Sequence, residues 1–250
     1  MDNIVNSLHY FFRAAEDINC EQNKYILLVS IFIWAIVFFI SYKKDIKQLN
    51  KTFMRIMGFT LISLQLGITI WLFIIRSNPF EDALPLYFCR MASITIGFSL
   101  MVYKIKGKVV NFFALFSIFG ASIALLVPDM ESYNFPHITT ISYILIHSML
   151  LFESMYVVRT SGVDLSRNSN IKITAGIIIP IHIINIFLNS NYAYTMQLPS
   201  ILGVIPQEVS ALFIAAATIS VVVIVQLFKN SGDEIRECVT EKFEFDNKRS

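Results

Sequence analysis

Long apolar runs separated by short polar breaks set the pattern of this chain. Seven recur, at Tyr25–Tyr42, Phe53–Ile75, Leu84–Tyr103, Val109–Val127, Ile138–Val158, Ile171–Leu188 and Leu202–Phe228. Each comes close to the roughly 20 residues a helix needs to cross about 30 Å of hydrocarbon. Such runs are too long and too unbroken for barrel strands, and a backbone in lipid must satisfy its own N–H and C=O groups. The pattern therefore predicts an all-α fold class: a polytopic membrane protein built as a bundle of seven transmembrane helices.

The breaks between the runs alternate in charge. Lys43, Lys44, Lys47, Lys51 and Arg55 follow the first run, Lys104, Lys106 and Lys108 the third, and Arg159, Arg167 and Lys172 the fifth. Adding Lys229, Arg236, Lys242, Lys248 and Arg249 of the tail leaves only four of the 20 basic residues elsewhere: Arg13, Lys24, Arg76 and Arg90. Basic loops stay on the cytoplasmic side, so the N-terminus is expected outside and the C-terminus inside a cell membrane. Residues 1–24 are expected to form an extracytoplasmic segment that keeps its place, because they show no basic n-region and no small-residue cleavage site. Within it, Ile4, Leu8, Phe11 and Phe12 fall at helical spacing, the mark of a short interfacial helix over Asn3–Phe12. Residues 25–228 form the membrane domain, and the polar residues 229–250 a solvated cytoplasmic tail.

Composition adds little to this picture. Hydrophobic residues make up 55% of the 250 and charged residues 15%, with mean hydropathy +0.62. The net charge of +2 reflects topology rather than nucleic-acid binding. Cys20, Cys89 and Cys238 offer no closed set of disulfides, although a Cys20–Cys89 bridge is conceivable. His9, His137, His147 and His182 contain no His-x-x-x-His pair, there is no Cys-x-x-Cys and no phosphate-cradling glycine loop, and no cofactor is expected.

Polar residues inside the runs carry more information, because a charge at membrane depth costs on the order of 2.5–3.5 kcal/mol on insertion scales. With about 1.5 Å of rise per residue, Cys89 and Arg90 lie about one turn, roughly 8 Å, inside the third run, and His147 roughly 14 Å inside the fifth. His182, Asn185 and Asn189 share one face of the sixth run, which cannot then face lipid. Tyr143, His147 and Ser154 share a face of the fifth, and Cys89, Ser93 and Gly97 one of the third. Glu208 matches the depth of Arg90, with which it can pair. Gln65 in the second run completes the set. A lone thiol or imidazole in such a place serves packing or helix–helix hydrogen bonding more often than catalysis.

Several short strings recur in a familiar order. Leu84-Pro85-Leu86-Tyr87-Phe88-Cys89 resembles the Leu-Pro-Leu-His-Leu-Cys signature of the YwaF-like integral membrane proteins. Gly120 to Asp129 (GASIALLVPD), His147, Asn191-Tyr192-Ala193-Tyr194, and Gly203 followed by Pro206 are similar to that family's remaining landmarks, over roughly residues 50–228. The signature histidine is Tyr87 here, and a frequent tryptophan is replaced at Ile205. A related eukaryotic membrane family is regarded as a phospholipid acyltransferase using one Cys and one His. The resemblance implies that Cys89 and His147 hold those places.

The first expectation is thus an integral membrane acyltransferase or transacylase acting on glycerophospholipids through Cys89 and His147. Arg90, His182, Asn185, Asn189, Tyr192, Glu208 and Gln65 would support it, and membrane lipids would be its partners. A thiol attacking an ester carbonyl needs a base, and an imidazole can take the proton and later return it. Arg90 can favour a thiolate or clamp a lipid phosphate, while Asn185 and Asn189 can orient His147 or donate to an oxyanion. Lipid-ester hydrolysis is a close variant. A membrane-embedded substrate-binding subunit or small transporter and a structural assembly factor are the alternatives from other classes, and the oligomeric state is open.

Overall fold

The computed structural model describes residues 7, 9–13, 22–42, 44–128, 135–163, 165–198 and 207–247. For residues 22–24, 44, 45, 207, 208 and 232–247 it describes the backbone alone. Seven long helices follow the seven apolar runs: α1 (Gln22–Tyr42), α2 (Lys51–Ile75), α3 (Phe88–Met101), α4 (Lys108–Leu126), α5 (Ile138–Ser161), α6 (Arg167–Leu188) and α7 (Gln207–Asn247). All but α3 are long and apolar enough to cross a membrane. Among the described residues there is no strand. Helix α7 runs on through the residues expected to form a separate tail. Of the predicted interfacial helix, residues 7 and 9–11 are helical, and the remainder lies outside the described residues apart from Phe12 and Arg13.

Local chemistry starts and stops these helices. Asn50 caps α2 by accepting from the Thr52 amide at 2.8 Å, and Ser166 caps α6 by accepting from Ser169; such caps satisfy amides that no helical carbonyl reaches. The His137 side chain caps α5, Nδ1 accepting from the Thr139 amide while Nε2–H donates to the Arg13 carbonyl at 3.0 Å. Gly162 ends α5 in the left-handed conformation at φ 64°, where a residue without Cβ meets no steric penalty. Tyr103 ends α3 the same way, with the Lys104 amide donating back to Ser99 at 2.8 Å.

Helix α5 is the hub of the bundle. Its spanning window is 61% buried inside the protein, against 17% for α1 and 11% for α7, and α1, α2, α3 and α4 all pack on it. Helices α6 and α7 pack on each other and on α4. In lipid no hydrophobic force joins apolar helices, so close approach must come from small residues. Helices α2 and α3 cross where Gly58 meets Gly97: a Cβ on Gly97 would stand 2.8 Å from the Gly58 carbonyl oxygen. The large apolar side chains that α1, α6 and α7 expose, among them Phe32, Phe39, Ile186, Phe187, Leu212 and Phe228, are what a lipid-facing surface requires.

At the end carrying the lysine-rich loops, aromatic rings hold cations. Lys51 and Arg55 lie over the Tyr103 ring at 4.9 and 5.9 Å, and Arg159 over Tyr42 at 5.1 Å.

Candidate functional site

The third span is shorter than its hydropathy implies. Apolar sequence continues from Leu84, but Pro85 disfavours helical backbone at the residue before it, and α3 begins only at Phe88. Cys89 is therefore the second residue of its helix, not a turn inside it. Tyr87 occupies the N-cap without a side-chain hydrogen bond to the helix. The N–H groups of the first turn consequently stand at the positive end of the helix dipole without a side-chain cap. Cys89 is a free, half-buried thiol.

Residues 76–87 form an ordered crossing in front of that turn, and Arg90 ties it down. Its guanidinium donates to the carbonyls of Asp82 (2.7 Å), Ala83 (3.2 Å) and Leu84 (3.3 Å) and lies 5.1 Å from the Tyr87 ring. Arg76 and Asp82 pair at 2.9 Å. From the other side, the Tyr192 hydroxyl donates to the Phe80 carbonyl (2.9 Å) and accepts from the Leu84 amide (3.0 Å). Burial raises the Tyr192 phenol above its ordinary pKa of 10.0, so it is a neutral hydroxyl that can donate and accept at once. Tyr87 packs its edge against Tyr192 and Tyr194. The side chain of Glu208, the expected partner of Arg90, lies outside the described residues.

His147 sits nine residues into α5. Its Nδ1 is 2.8 Å from the Tyr143 carbonyl, which can only accept, so Nδ1 carries the proton and Nε2 is the acceptor. The Tyr143 ring lies 4.2 Å from the imidazole, and its hydroxyl donates to the Ala124 carbonyl at 2.9 Å. Counted from the lysine-rich end at about 1.5 Å per residue, Cys89 stands at about 18 Å and His147 at about 21 Å. Counted from the outer ends the two levels differ by several ångströms; counted from the lysine-rich end, a reference that the start of α3 does not affect, they differ by about 3 Å.

The polar stripe of α6 serves a different purpose from the one expected. Asn185 is fully buried and commits all its hydrogen-bonding capacity to the segment after the helix. Its Oδ1 accepts from Ser190 Oγ (2.7 Å) and the Tyr192 amide (2.9 Å), and its Nδ2 donates to the Tyr192 carbonyl (2.9 Å) and Thr195 Oγ1 (2.8 Å). Nothing is left to orient His147 or meet an oxyanion. His182 Nδ1 meets the same Thr195 hydroxyl at 3.3 Å. Asn189 leaves the stripe altogether: it is the exposed C-cap of α6, left-handed at φ 51°, a conformation asparagine tolerates. Gln65 is buried and donates to Thr69 on its own helix at 3.3 Å. The structure thus ties Arg90 and Tyr192 to the segment that precedes Cys89, holds His147 on Tyr143, and leaves Gln65, His182, Asn185 and Asn189 in helix-bound or loop-bound roles.

One buried acid escaped the motif search. Glu153 lies on α5 with no exposed surface, and its only sequence signal is a carboxylate inside an otherwise apolar run. No cluster of three or more His, Cys, Asp or Glu side chains able to hold a metal ion occurs among the described residues.

Six helices of spanning length, in a bundle where α1, α2, α3 and α4 pack on α5 and α6 and α7 pack on α4, define a multi-pass membrane protein. The match to a family model is equally broad. It covers residues 20–229 and is to the TMEM164 family, and the chain belongs to that family. No curated protein and no solved structure matches the chain.

Proposed function

We propose that this protein is a membrane acyltransferase that moves a fatty acyl group between glycerophospholipids through a thioester on Cys89, with His147 as its base. The observation that carries this reading is the disposition of Cys89. It is a free thiol in an uncapped first helical turn, level with an imidazole whose Nδ1–H is committed to a carbonyl.

Each group then has a chemical task. His147 Nε2 takes the thiol proton, and the thiolate attacks the ester carbonyl of a phospholipid. The amides of the first turn of α3, and the helix dipole behind them, favour both the thiolate and the oxyanion of the tetrahedral intermediate. Collapse of that intermediate forms the thioester and expels a lysolipid alkoxide, which recovers the proton from His147. A second lysolipid hydroxyl, deprotonated by Nε2, attacks the thioester and releases the thiol. Water in place of that hydroxyl would make the enzyme a hydrolase. Arg90 keeps the surroundings electropositive for Cys89 while its carbonyl contacts fix the crossing segment.

The basic loops favour an orientation in which this level lies in the half of a cell membrane away from the cytoplasm. Purified protein incubated with phospholipid carrying a labelled acyl chain should acquire a hydroxylamine-sensitive label. That label should vanish in Cys89→Ala, and its persistence there would sink the assignment.

A further inference from the structure

The two basic residues of α2 converge on one ring. Lys51 and Arg55 are exposed and one helical turn apart, and their cationic groups lie 4.9 and 5.9 Å from the centre of the Tyr103 ring. Tyr103 meets them from the left-handed turn that ends α3, and its hydroxyl is 3.5 Å from that of Tyr156 on α5. Helices α2, α3 and α5 thus all contribute to one cationic spot. Like charges at i and i+4 of a helix repel each other, and neither cation pairs with a carboxylate among the described residues. At the opposite end of the same helix, Arg76 does pair, with Asp82 at 2.9 Å.

Beyond the cations, the same face of α2 is apolar and open. Phe59, Leu66 and Ile70 follow Arg55 at i+4, i+11 and i+15, which places them in line with it along the helix, and all three are exposed. The other face, with Met54, Leu61, Gln65 and Leu72, is buried. A pair of cations at the head of an exposed apolar row matches a ligand in two parts, an anionic head and a hydrocarbon tail. Membrane topology asks for basic residues at this end. It does not ask for two of them to share one ring above such a row.

We propose that Lys51, Arg55 and Tyr103 form a site for the head of an anionic phospholipid from the leaflet at the lysine-rich end, with an acyl chain lying along Phe59, Leu66 and Ile70. Arg55 offers a planar fork of N–H donors to the phosphate oxygens, and Lys51 a point charge beside it. A phosphate between the two replaces their repulsion with two attractions, while the Tyr103 ring holds both side chains near that position. A choline head fits less well, because its own ammonium repels the pair. The occupant is a lipid rather than free phosphate, since a tail on the apolar row keeps the head at this depth. The site lies at the other end of α2 from the segment that precedes Cys89, and it stands independently of the acyl-transfer reading.

The test is native mass spectrometry of the full chain in detergent, titrated with dioleoyl phosphatidylglycerol or, separately, with dioleoyl phosphatidylcholine. The first phosphatidylglycerol should bind about fivefold or more tighter than the first phosphatidylcholine. Each basic residue near an anionic lipid is worth about a fivefold change in affinity, so Lys51→Gln combined with Arg55→Gln should weaken the first phosphatidylglycerol by about tenfold or more. Phosphatidylcholine should stay within about twofold in that variant. Arg167→Gln combined with Lys172→Gln removes the same charge from the exposed start of α6 and should leave both lipids within about twofold. Equal losses in the two double variants would reduce the effect to net charge and overturn the proposal, as would a lack of preference for phosphatidylglycerol in the unaltered protein. Inorganic phosphate that displaces the lipid at equal concentration would overturn a lipid as the occupant. Should the Lys51 and Arg55 double variant fail to fold, the two single variants decide, and unaltered affinity in both overturns the site.

Discussion

Replacing Asn185 with alanine tests the account of the polar stripe on α6. The side chain makes four hydrogen bonds of 2.7–2.9 Å, all to residues 190–195 and all within the buried interior. Interhelical hydrogen bonds in membrane proteins average about 0.6 kcal/mol each, and those of soluble cores about 1 kcal/mol. Four such bonds give about 2–4 kcal/mol, and alanine also strands the Tyr192 amide and carbonyl, so about 3 kcal/mol is expected. For a chain of this length that lowers the thermal midpoint by about 6–12 °C. Asn185→Asp separates shape from donor capacity: it retains the acceptor for Ser190 and Tyr192 N–H but turns a second oxygen toward the Tyr192 carbonyl. Its loss at neutral pH should be at least as large as that of alanine. Circular dichroism or dye-monitored melting in detergent reads both. A midpoint for Asn185→Ala within about 2 °C of the unaltered protein would show that the stripe does not hold residues 190–195.

Other substitutions probe other links of the argument. Tyr192→Phe leaves the Phe80 carbonyl and Leu84 amide unsatisfied, which costs about 1–3 kcal/mol; hydrogen exchange at the Leu84 amide should accelerate at least tenfold, and unchanged protection would refute the brace. Gly97→Val must push α3 away from α2, because a Cβ there stands 2.8 Å from the backbone oxygen of Gly58; a loss of about 1–3 kcal/mol is expected in melting. Gly67→Ala, with nothing within 4 Å of its new Cβ, should leave the midpoint unmoved. His147→Gln should slow acylation of Cys89 by about 10²-fold or more with little change in melting, and equal rates would remove the histidine from the chemistry.

Hydropathy made all seven helices legible, and it misplaced the one boundary on which the chemistry turns. Leu84, Leu86 and Phe88 are as apolar as the helix they precede, so the apolar run passes straight through Pro85. The helical backbone does not. Breaking at Phe88 moves Cys89 from about one turn inside the helix to its second residue, where the amides have no side-chain cap. Periodicity similarly found the α6 stripe but could not show that Asn189 turns left-handed. Nor could it show that Asn185 bonds to residues five to ten positions later, since those partners lie in an irregular segment with no period. Glu153 belongs to no motif, and its complete burial shows only in the packed bundle.

Depth connects these observations physically. A residue's level in a bundle is set by the distance to the end of its own helix, and an error of four residues in one helix start displaces a side chain by about 6 Å. That is more than the reach of a hydrogen bond, so a correct list of polar residues with one wrong boundary yields a thiol and an imidazole that cannot meet. A count from the lysine-rich end, where Tyr42 and Tyr103 hold cations, does not use the misplaced start of α3. On that count Cys89 and His147 fall about 3 Å apart in level. Level alone does not bring two side chains together, so the rate of Cys89 acylation in His147→Gln decides whether the imidazole reaches the thiol.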